Sequence, residues 1–450
     1  MKLPHSPPPL SDLLSSIGPG DLPKILESQS GPLVHEAYLH WDELRHREPP
    51  SGLDHETWWL GLRLARQALL KPLPLLDKKG QPFFFGSPDP VQIDLHHIDQ
   101  DAAGEIQSAT ETTPASRDRY LLKSVIEEAI TSSQLEGAST TRKVAAEMLR
   151  SGRPPKDRSE RMIFNNFLAM QAIRDFKNES MTPGRLLEIH RMISEHTLDD
   201  PGDVGRFRQS NDIRVVNNDD GTILHQPPDH RELPQRLERL CAFANGDEHQ
   251  RPFVHPVLRA ILLHFMVGYD HPFADGNGRT ARALFYWSML RSGYWLAEFI
   301  SISHILRKAP AQYGRAYLFT ETDGGDTTYF LIHQLTTMRK AIQSLHDHLA
   351  RKAKEQRSME RLLAESPVLR ARLNHRQKAL LTHALKHPGT GYRIEDHQRT
   401  HAVVYQTART DLLQLAELGL LEKIREGRAF VFVALDDLAD HISHVGGRIP

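Results

Sequence analysis

A single cysteine, Cys241, in 450 residues leaves the chain no means of building an internal disulfide or a thiolate metal cluster. That fits a reducing compartment, and the cytoplasm is the expected location. Net charge is nearly absent too. Against 57 Asp and Glu stand 56 Lys and Arg, a balance of −1, so any binding to nucleic acid or an anionic bilayer must come from a local patch. Long hydrophobic runs are missing: no stretch approaches the ~20 apolar residues of a membrane span. The opening MKLPHSPPPLSDLL lacks the basic segment followed by an apolar run that directs export. A soluble, unexported protein with no membrane partner is expected, and no internal repeat of solenoid period occurs.

What is present describes a folded, multidomain chain. Hydrophobic residues make up 39% and charged residues 25%, with five Trp and seventeen Phe for a core. The length exceeds what one core usually serves, so two or three domains are expected. Residues Pro4 to Pro32 are rich in Pro, Ser and Gly and read as a loose arm in which SDLLSSI can form a short helix. Two or more helices follow between Val34 and Leu70. Arg117 to Leu135 sets Tyr120, Leu121, Val125, Ile126 and Ile130 on one stripe, with Gly137 as a helix stop. Ser159 to Phe176, Thr182 to His196 and Leu233 to Asn245 repeat the helical pattern. One interruption, Asp212 to His225, places IRVV and TIL around NNDDG and predicts a hairpin.

The chemistry concentrates after an apolar helix, His255 to Tyr269. There HPFADGNGRTAR, His271 to Arg282, crowds Pro, two Gly and Asn together before the helical ALFYWSML. Such a loop exposes backbone N–H groups at a helix N-terminus, where the dipole adds positive potential, and so outlines a phosphate cradle. Arg279 and Arg282, one turn apart, can lean over the same region to chelate phosphate oxygens. Asp275 offers an oxygen ligand suited to Mg²⁺ carried by a nucleotide, and His271 has the pKa range of a proton acceptor. The bland alternative is a glycine-bearing interhelical turn with two surface arginines. His255, His264 and His271, spaced nine and seven residues apart, do not set three imidazoles around one ion.

HPFADGNGRTAR resembles the Fic family signature, His-x-Phe-x-(Asp or Glu)-Gly-Asn-Gly-Arg-x-x-Arg, at every defined position. The resemblance implies a protein adenylyltransferase with ATP and Mg²⁺ as cofactors. His271 is then the base that deprotonates a target hydroxyl, and Phe273 packs inward to hold the loop. Asp275 is the metal ligand. Gly276, Asn277, Gly278, Arg279, Thr280, Ala281 and Arg282 line the ATP site, with Arg282 on the γ-phosphate. Gly205-Arg206-Phe207-Arg208 and the hairpin ending in Gln226-Pro227-Pro228 look like the family's flap, which pairs with an extended target segment. SSQLEG, Ser132 to Gly137, resembles the family's inhibitory pattern and makes Glu136 a built-in brake on Arg282. Tyr313 and Gly314 lie in a segment similar to one that borders adenine. Resemblance covers roughly Arg117 to Leu335.

The expected class is therefore mainly α: a Fic-type helical bundle with a small β-hairpin flap, an N-terminal helical region and a C-terminal winged helix-turn-helix. Its expected boundaries are 1–110 for the arm and helical region, 111–340 for the Fic domain with an inhibitory helix at 117–137, 341–370 for a connecting helix and 371–440 for the winged helix. In that last part Arg376 to Lys386, Ile394 to His401 and Val403 to Leu418 read as helices, and LLEKIREGRAFVFVAL as a hairpin about Glu426-Gly427. Gln406, Thr407, Arg409 and Thr410, with Arg425 and Arg428 on the wing, could meet DNA. A protein-docking module or a homodimer contact is the alternative there. The expected partners are ATP, a target protein that the sequence does not name, and DNA. Competing functions are removal of AMP, transfer of another phosphate-containing moiety, and a transcriptional regulator that senses nucleotide.

Overall fold

The computed structural model describes residues 2–102 and 114–435 apart from 19, 28–30, 218–219, 365–371, 387–388, 427–428, and adds 438 and 442. The chain divides into two units, Met1–Leu345 and His346–Pro450. In the first, α1 (Leu10–Ser16), α2 (Asp21–Glu27) and α3 (Trp41–Leu44) precede α4 (His55–Gln67). The arm is not loose: Leu13 and Ile25 are buried in a cluster with Trp58 and Trp59 of α4. Even sparse apolar residues in a Pro-rich segment bury when two indoles offer a large apolar surface.

An antiparallel pair not foreseen comes next, β1 (Lys71–Leu76) and β2 (Pro82–Phe85), followed by α5 (Asp89–Ala102). Leu73, Leu75, Phe83 and Phe85 point into the main core, while Pro72 and Pro74 take the alternate, outward positions. Proline donates no ladder bond and is tolerated on a strand edge, which is where these two sit. β2 also pairs with the segment before α15, through Phe84 N–H to Gly325 O at 2.9 Å and Thr327 N–H to Phe84 O at 2.8 Å. From Leu73 to Ile98 this region contributes to the core of the central bundle, while the arm and α4 keep a smaller cluster of their own within the same unit.

The bundle comprises α6 (Pro114–Leu135), α7 (Arg142–Ser151), α8 (Arg158–Asp175), α9 (Pro183–Ser194), α10 (Leu233–Ala244), α11 (Pro256–Asp270), α12 (Asn277–Arg291), α13 (Ile302–Leu306), α14 (Pro310–Thr322) and, as far as Leu345, the first part of α15 (Thr328–Ala364). Their starts are written locally: Asp157 and Thr182 accept from Glu160 N–H and Arg185 N–H, and Pro183 and Pro256 stand in the first turns. The small hairpin β3 (Val215–Val216) and β4 (Ile223–His225) lies between α9 and α10, where alternation and Asp-Gly place it. Part of its turn, Asn218 and Asp219, lies outside the described residues. Helices α11 and α12 run through the centre and are buried on nearly every side. Each fully buried Leu, Ile or Phe on them stabilises the fold by about 1.5–3 kcal/mol.

A second buried feature sits away from this centre. Arg66 is 1% exposed. It donates to Pro32 O at 3.0 Å, Tyr329 Oη at 2.9 Å and Leu39 O at 2.9 Å, and it lies 3.8 Å over the Tyr38 ring. Tyr38 and Tyr329 donate in turn to Asp326 and Asp323.

In the second unit, helices His375–Lys386, Ile394–His401 and Tyr405–Glu417 precede a hairpin of Leu421–Glu426 and Ala429–Ala434, to which Gly391–Tyr392 adds a third strand. Asp411 is buried and holds Arg376 at 2.7 Å, Asn374 at 2.7 Å and His397 at 3.2 Å. Arg428 lies outside the described residues. No helix among the described residues is long and apolar enough to cross a membrane.

Candidate active site

Helix α11 ends at His271, whose backbone is left-handed at φ 45°, ψ 57°. Its Nδ1 lies 3.1 Å from Gly268 O. A carbonyl can only accept, so Nδ1 carries the proton and Nε2 keeps its lone pair. Burial also holds the ring's pKa below the ordinary histidine value, so the imidazole is neutral at pH 7.

The loop after His271 is closed from within. Asn277 accepts from Phe273 N–H at 2.9 Å and donates to Phe273 O at 2.8 Å, while the Phe273 ring is fully buried. Against that ring stacks His190 of α9, with centroids 3.7 Å apart. His190 accepts from Gly205 N–H at 3.2 Å through Nδ1 and contacts Asp275 O at 2.9 Å through Nε2, which must be the donor. Burial pulls its pKa down to about 4, which keeps it neutral with one nitrogen of each kind. No motif marks His190, yet it is a polar residue on the apolar stripe Leu186, Ile189, Ile193, and that placement is the signal that singles it out.

Gly276, at φ +84°, turns the chain into α12. No side chain caps that end, so the first-turn N–H groups stay available to an anion. Arg279 is fully buried and gives Nη1 to Ile193 O at 3.1 Å, while its Nε and Nη2 make no hydrogen bond within the protein. Arg282, 1% exposed, donates to Ser132 Oγ at 2.8 Å, Ser132 O at 3.0 Å and Glu136 Oε1 at 2.8 Å. Its Nη1 also makes no hydrogen bond within the protein. Glu136 reaches across from the end of α6, where Gly137 turns the chain at φ +93°. Burial works to raise the Glu136 pKa, but the Arg282 guanidinium outweighs it, and the carboxyl sits below its usual range. The carboxylate lies on the first turn of α12: a Cβ at Gly278 would stand 2.1 Å from Glu136 Oε1.

The expected residues do not all face the loop. Ala281 belongs to the hydrophobic core, so its side chain packs away from any ligand. Thr280 is buried and its Oγ1 lacks a protein partner. Tyr313 donates to or accepts from His264 Nε2 at 2.7 Å and feels the Arg282 charge; Gly314 follows it on α14 with no side chain to offer. His255 turns to Asp99 at 3.2 Å and His264 to Tyr313, so the three histidines serve separate partners, as their spacing requires. Asp275 is 44% exposed; one oxygen accepts from Gly276 N–H at 2.5 Å and the other lies 3.9 Å from Arg158 and from Arg279. Among the described residues no three His, Cys, Asp or Glu side chains assemble a metal site. A lone exposed carboxylate fits Mg²⁺ only as an ion held mainly by a nucleotide's phosphates and water.

Residues 180–289 match the family model described as Fic/DOC family. They are a Fic domain. The chain is 36% identical over 118 residues to a Culex quinquefasciatus protein named protein adenylyltransferase Fic, covering 26% of this chain and 21% of that protein. It is likewise 36% identical over 136 residues to the Drosophila melanogaster protein of that name, covering 29% and 25%. The chain thus spans a quarter or less of the length of these curated relatives. A Fic family protein from Desulfovibrio desulfuricans G20 aligns over 77% of this chain and 96% of its own, at 18% identity and a TM-score of 0.49. The Fic domain match takes in α9 through most of α12, hence His190, the hairpin and the whole loop, while Glu136 enters from outside it.

Proposed function

We propose that the protein transfers AMP from ATP to a Ser, Thr or Tyr hydroxyl of a target protein, itself included, and that Glu136 holds it off. One observation carries this reading: a neutral His271 with Nε2 free stands beside an uncapped helix N-terminus and buried guanidinium donors that make no hydrogen bond within the protein. Nε2 takes the proton of the target hydroxyl, whose oxygen forms a bond to the α-phosphorus while the bond to pyrophosphate breaks. The N–H groups opening α12 and the Arg279 side chain hold the α- and β-phosphates, and Arg282 takes the γ-phosphate, so that the leaving group lies in line. Mg²⁺ at Asp275, when bound, neutralises phosphate charge. The exposed Val216 and Ile223 of the hairpin, 44% and 43% accessible, suit pairing with an extended target segment.

Glu136 occupies the Arg282 nitrogen that the γ-phosphate needs and crowds the α12 first turn, which supports its role as a brake. The test is transfer from α-labelled and γ-labelled ATP, with the protein and its Glu136→Gly variant. Label from the α position alone, stronger by tenfold or more in the variant, is expected; label retained only from the γ position excludes AMP transfer. His271→Ala should remove turnover while ATP still binds.

A second reading concerns the C-terminal unit, whose helix Tyr405–Glu417 shows Gln406, Arg409 and Thr410 to solvent. As a winged helix it would contact duplex DNA through them. Salt-dependent binding that survives His271→Ala supports this reading, and no binding at low salt rejects it.

A further inference from the structure

The left-handed backbone of His271 is unfavourable for a residue with a Cβ, so something must hold it. Two side chains tie down the backbone there, Arg208 in the segment that leads into the hairpin and His225 at the end of β4. Arg208, 3% exposed, donates Nε to His271 O at 2.9 Å, and its own N–H goes to Pro272 O at 2.9 Å. Its other donors reach Ser210 O at 2.8 Å, Asn211 Oδ1 at 3.1 Å and Pro228 O. All these acceptors are neutral, so the buried cation is spent on geometry and on the C-terminal end of the α11 dipole. At the end of β4, His225, 7% exposed and opposite Val215, contacts Tyr269 O at 2.7 Å through Nε2 and Glu321 at 2.8 Å through Nδ1. Tyr269 and His271 flank Asp270. The last carbonyls of a helix lack helical partners, and here two of them are used to fasten the hairpin.

Resting on the transferase reading, we infer that Arg208 and His225 are positioning residues for His271, tying the segment that leads into β3 and the end of β4 to the carbonyls on either side of Asp270. A target segment paired along the hairpin is thereby delivered in fixed register to Nε2 of His271. Each acts through the backbone of the catalytic turn. A shift of about 1 Å in such a turn costs turnover on the order of 100-fold, without a matching loss in nucleotide affinity.

The experiment uses the full chain carrying Glu136→Gly, with and without Arg208→Lys or His225→Gln. Lysine keeps the buried charge but cannot reach carbonyls on three sides; glutamine keeps one donor and loses the link to Glu321. ATP affinity is measured by calorimetry, kcat by label transfer, and the His271 tautomer by ¹⁵N spectra of the histidine rings, assigned against His271→Asn. Each variant is expected to bind ATP within about twofold of the parent, to lose kcat about 100-fold, and to shift His271 from the Nδ1–H form toward a tautomer mixture. Parental kcat and ring spectrum in both variants overturn the inference, as does a fall in kcat matched by an equal fall in ATP affinity. Should the parent transfer no label, the transferase reading fails on its own, and the ring spectra still decide the positioning roles. Should Arg208→Lys not fold, His225→Gln, which cuts only one tie, decides them.

Discussion

Two sets of buried arginines invite comparison. Arg66 directs Nε, Nη1 and Nη2 at two carbonyls and a phenol and lies over an aromatic ring. Arg279 and Arg282 are as deeply buried, yet Nε and Nη2 of the one and Nη1 of the other make no hydrogen bond within the protein. A buried donor left unpaired costs about 1–3 kcal/mol. The first cluster therefore stabilises the fold by itself, whereas the second gives up stability that an anion can restore. Burial alone does not separate a structural cation from a binding one; the unsatisfied hydrogen bonds do.

The comparison can be broken most forcefully at Arg66. Arg66→Ala strips the carbonyls of Pro32 and Leu39 and the Tyr329 hydroxyl of their buried donor, and at about 1–3 kcal/mol for each stranded acceptor urea unfolding should show a loss of about 3 kcal/mol or more, with the thermal shift caused by ATP intact. A loss below about 1 kcal/mol would make the two clusters alike. Next comes Arg282→Ala in the Glu136→Gly background: transfer should fall 100- to 1000-fold, about 2.7–4 kcal/mol. The stabilisation by ATP, about 2.7 kcal/mol at one hundred times Kd, should shrink with it. Glu136→Gly alone should lower the stability of the nucleotide-free protein by about 1–3 kcal/mol, since it orphans another Arg282 donor, and enlarge the gain from ATP. An unchanged stability would mean that the pair adds nothing to the fold.

The smallest expected effects are in pH. Glu136 has a depressed pKa, so its contribution is complete above the unfolded value of 4.5 and is lost as pH falls through the lower folded one. Asp270 runs the opposite way. Burial pushes it up to about 6 from 3.8, so the folded protein holds a proton that the unfolded chain has released, and stability declines as pH rises between those values. Asp270→Asn should flatten that decline in urea titrations, while Glu136→Gln should remove the acid-side loss. For catalysis, the lowered His271 pKa places the acid limb of kcat/KM below pH 6.5, the ordinary value; a limb above it would contradict the role of neutral base.

The loop His271–Arg282 was legible because its chemistry is local: the turn, the cradle and both arginines lie within one stretch of chain. The helices of the bundle were legible through apolar spacing and caps such as Thr182-Pro183. Pro72 and Pro74 disguised β1, because proline argues against a strand unless it is known to lie on an edge. The Arg66 cluster gathers residues 32, 38, 39 and 329 around one guanidinium, and no sequence window contains such a meeting. His190 and His225 fall between these cases. Each is polar amid apolar neighbours, but the partners that define them, Asp275 O and Tyr269 O, are backbone atoms with no residue type to announce them.

The positive φ of His271 bears on how an inactive form of the protein should be made. Alanine at that position removes the imidazole and also disfavours the left-handed backbone, so the loop that follows can relax and blur a loss of chemistry with a loss of shape. Asparagine tolerates that backbone far better. His271→Asn is therefore the substitution of choice for trapping a target protein on an intact but silent surface, for capture or co-crystallisation.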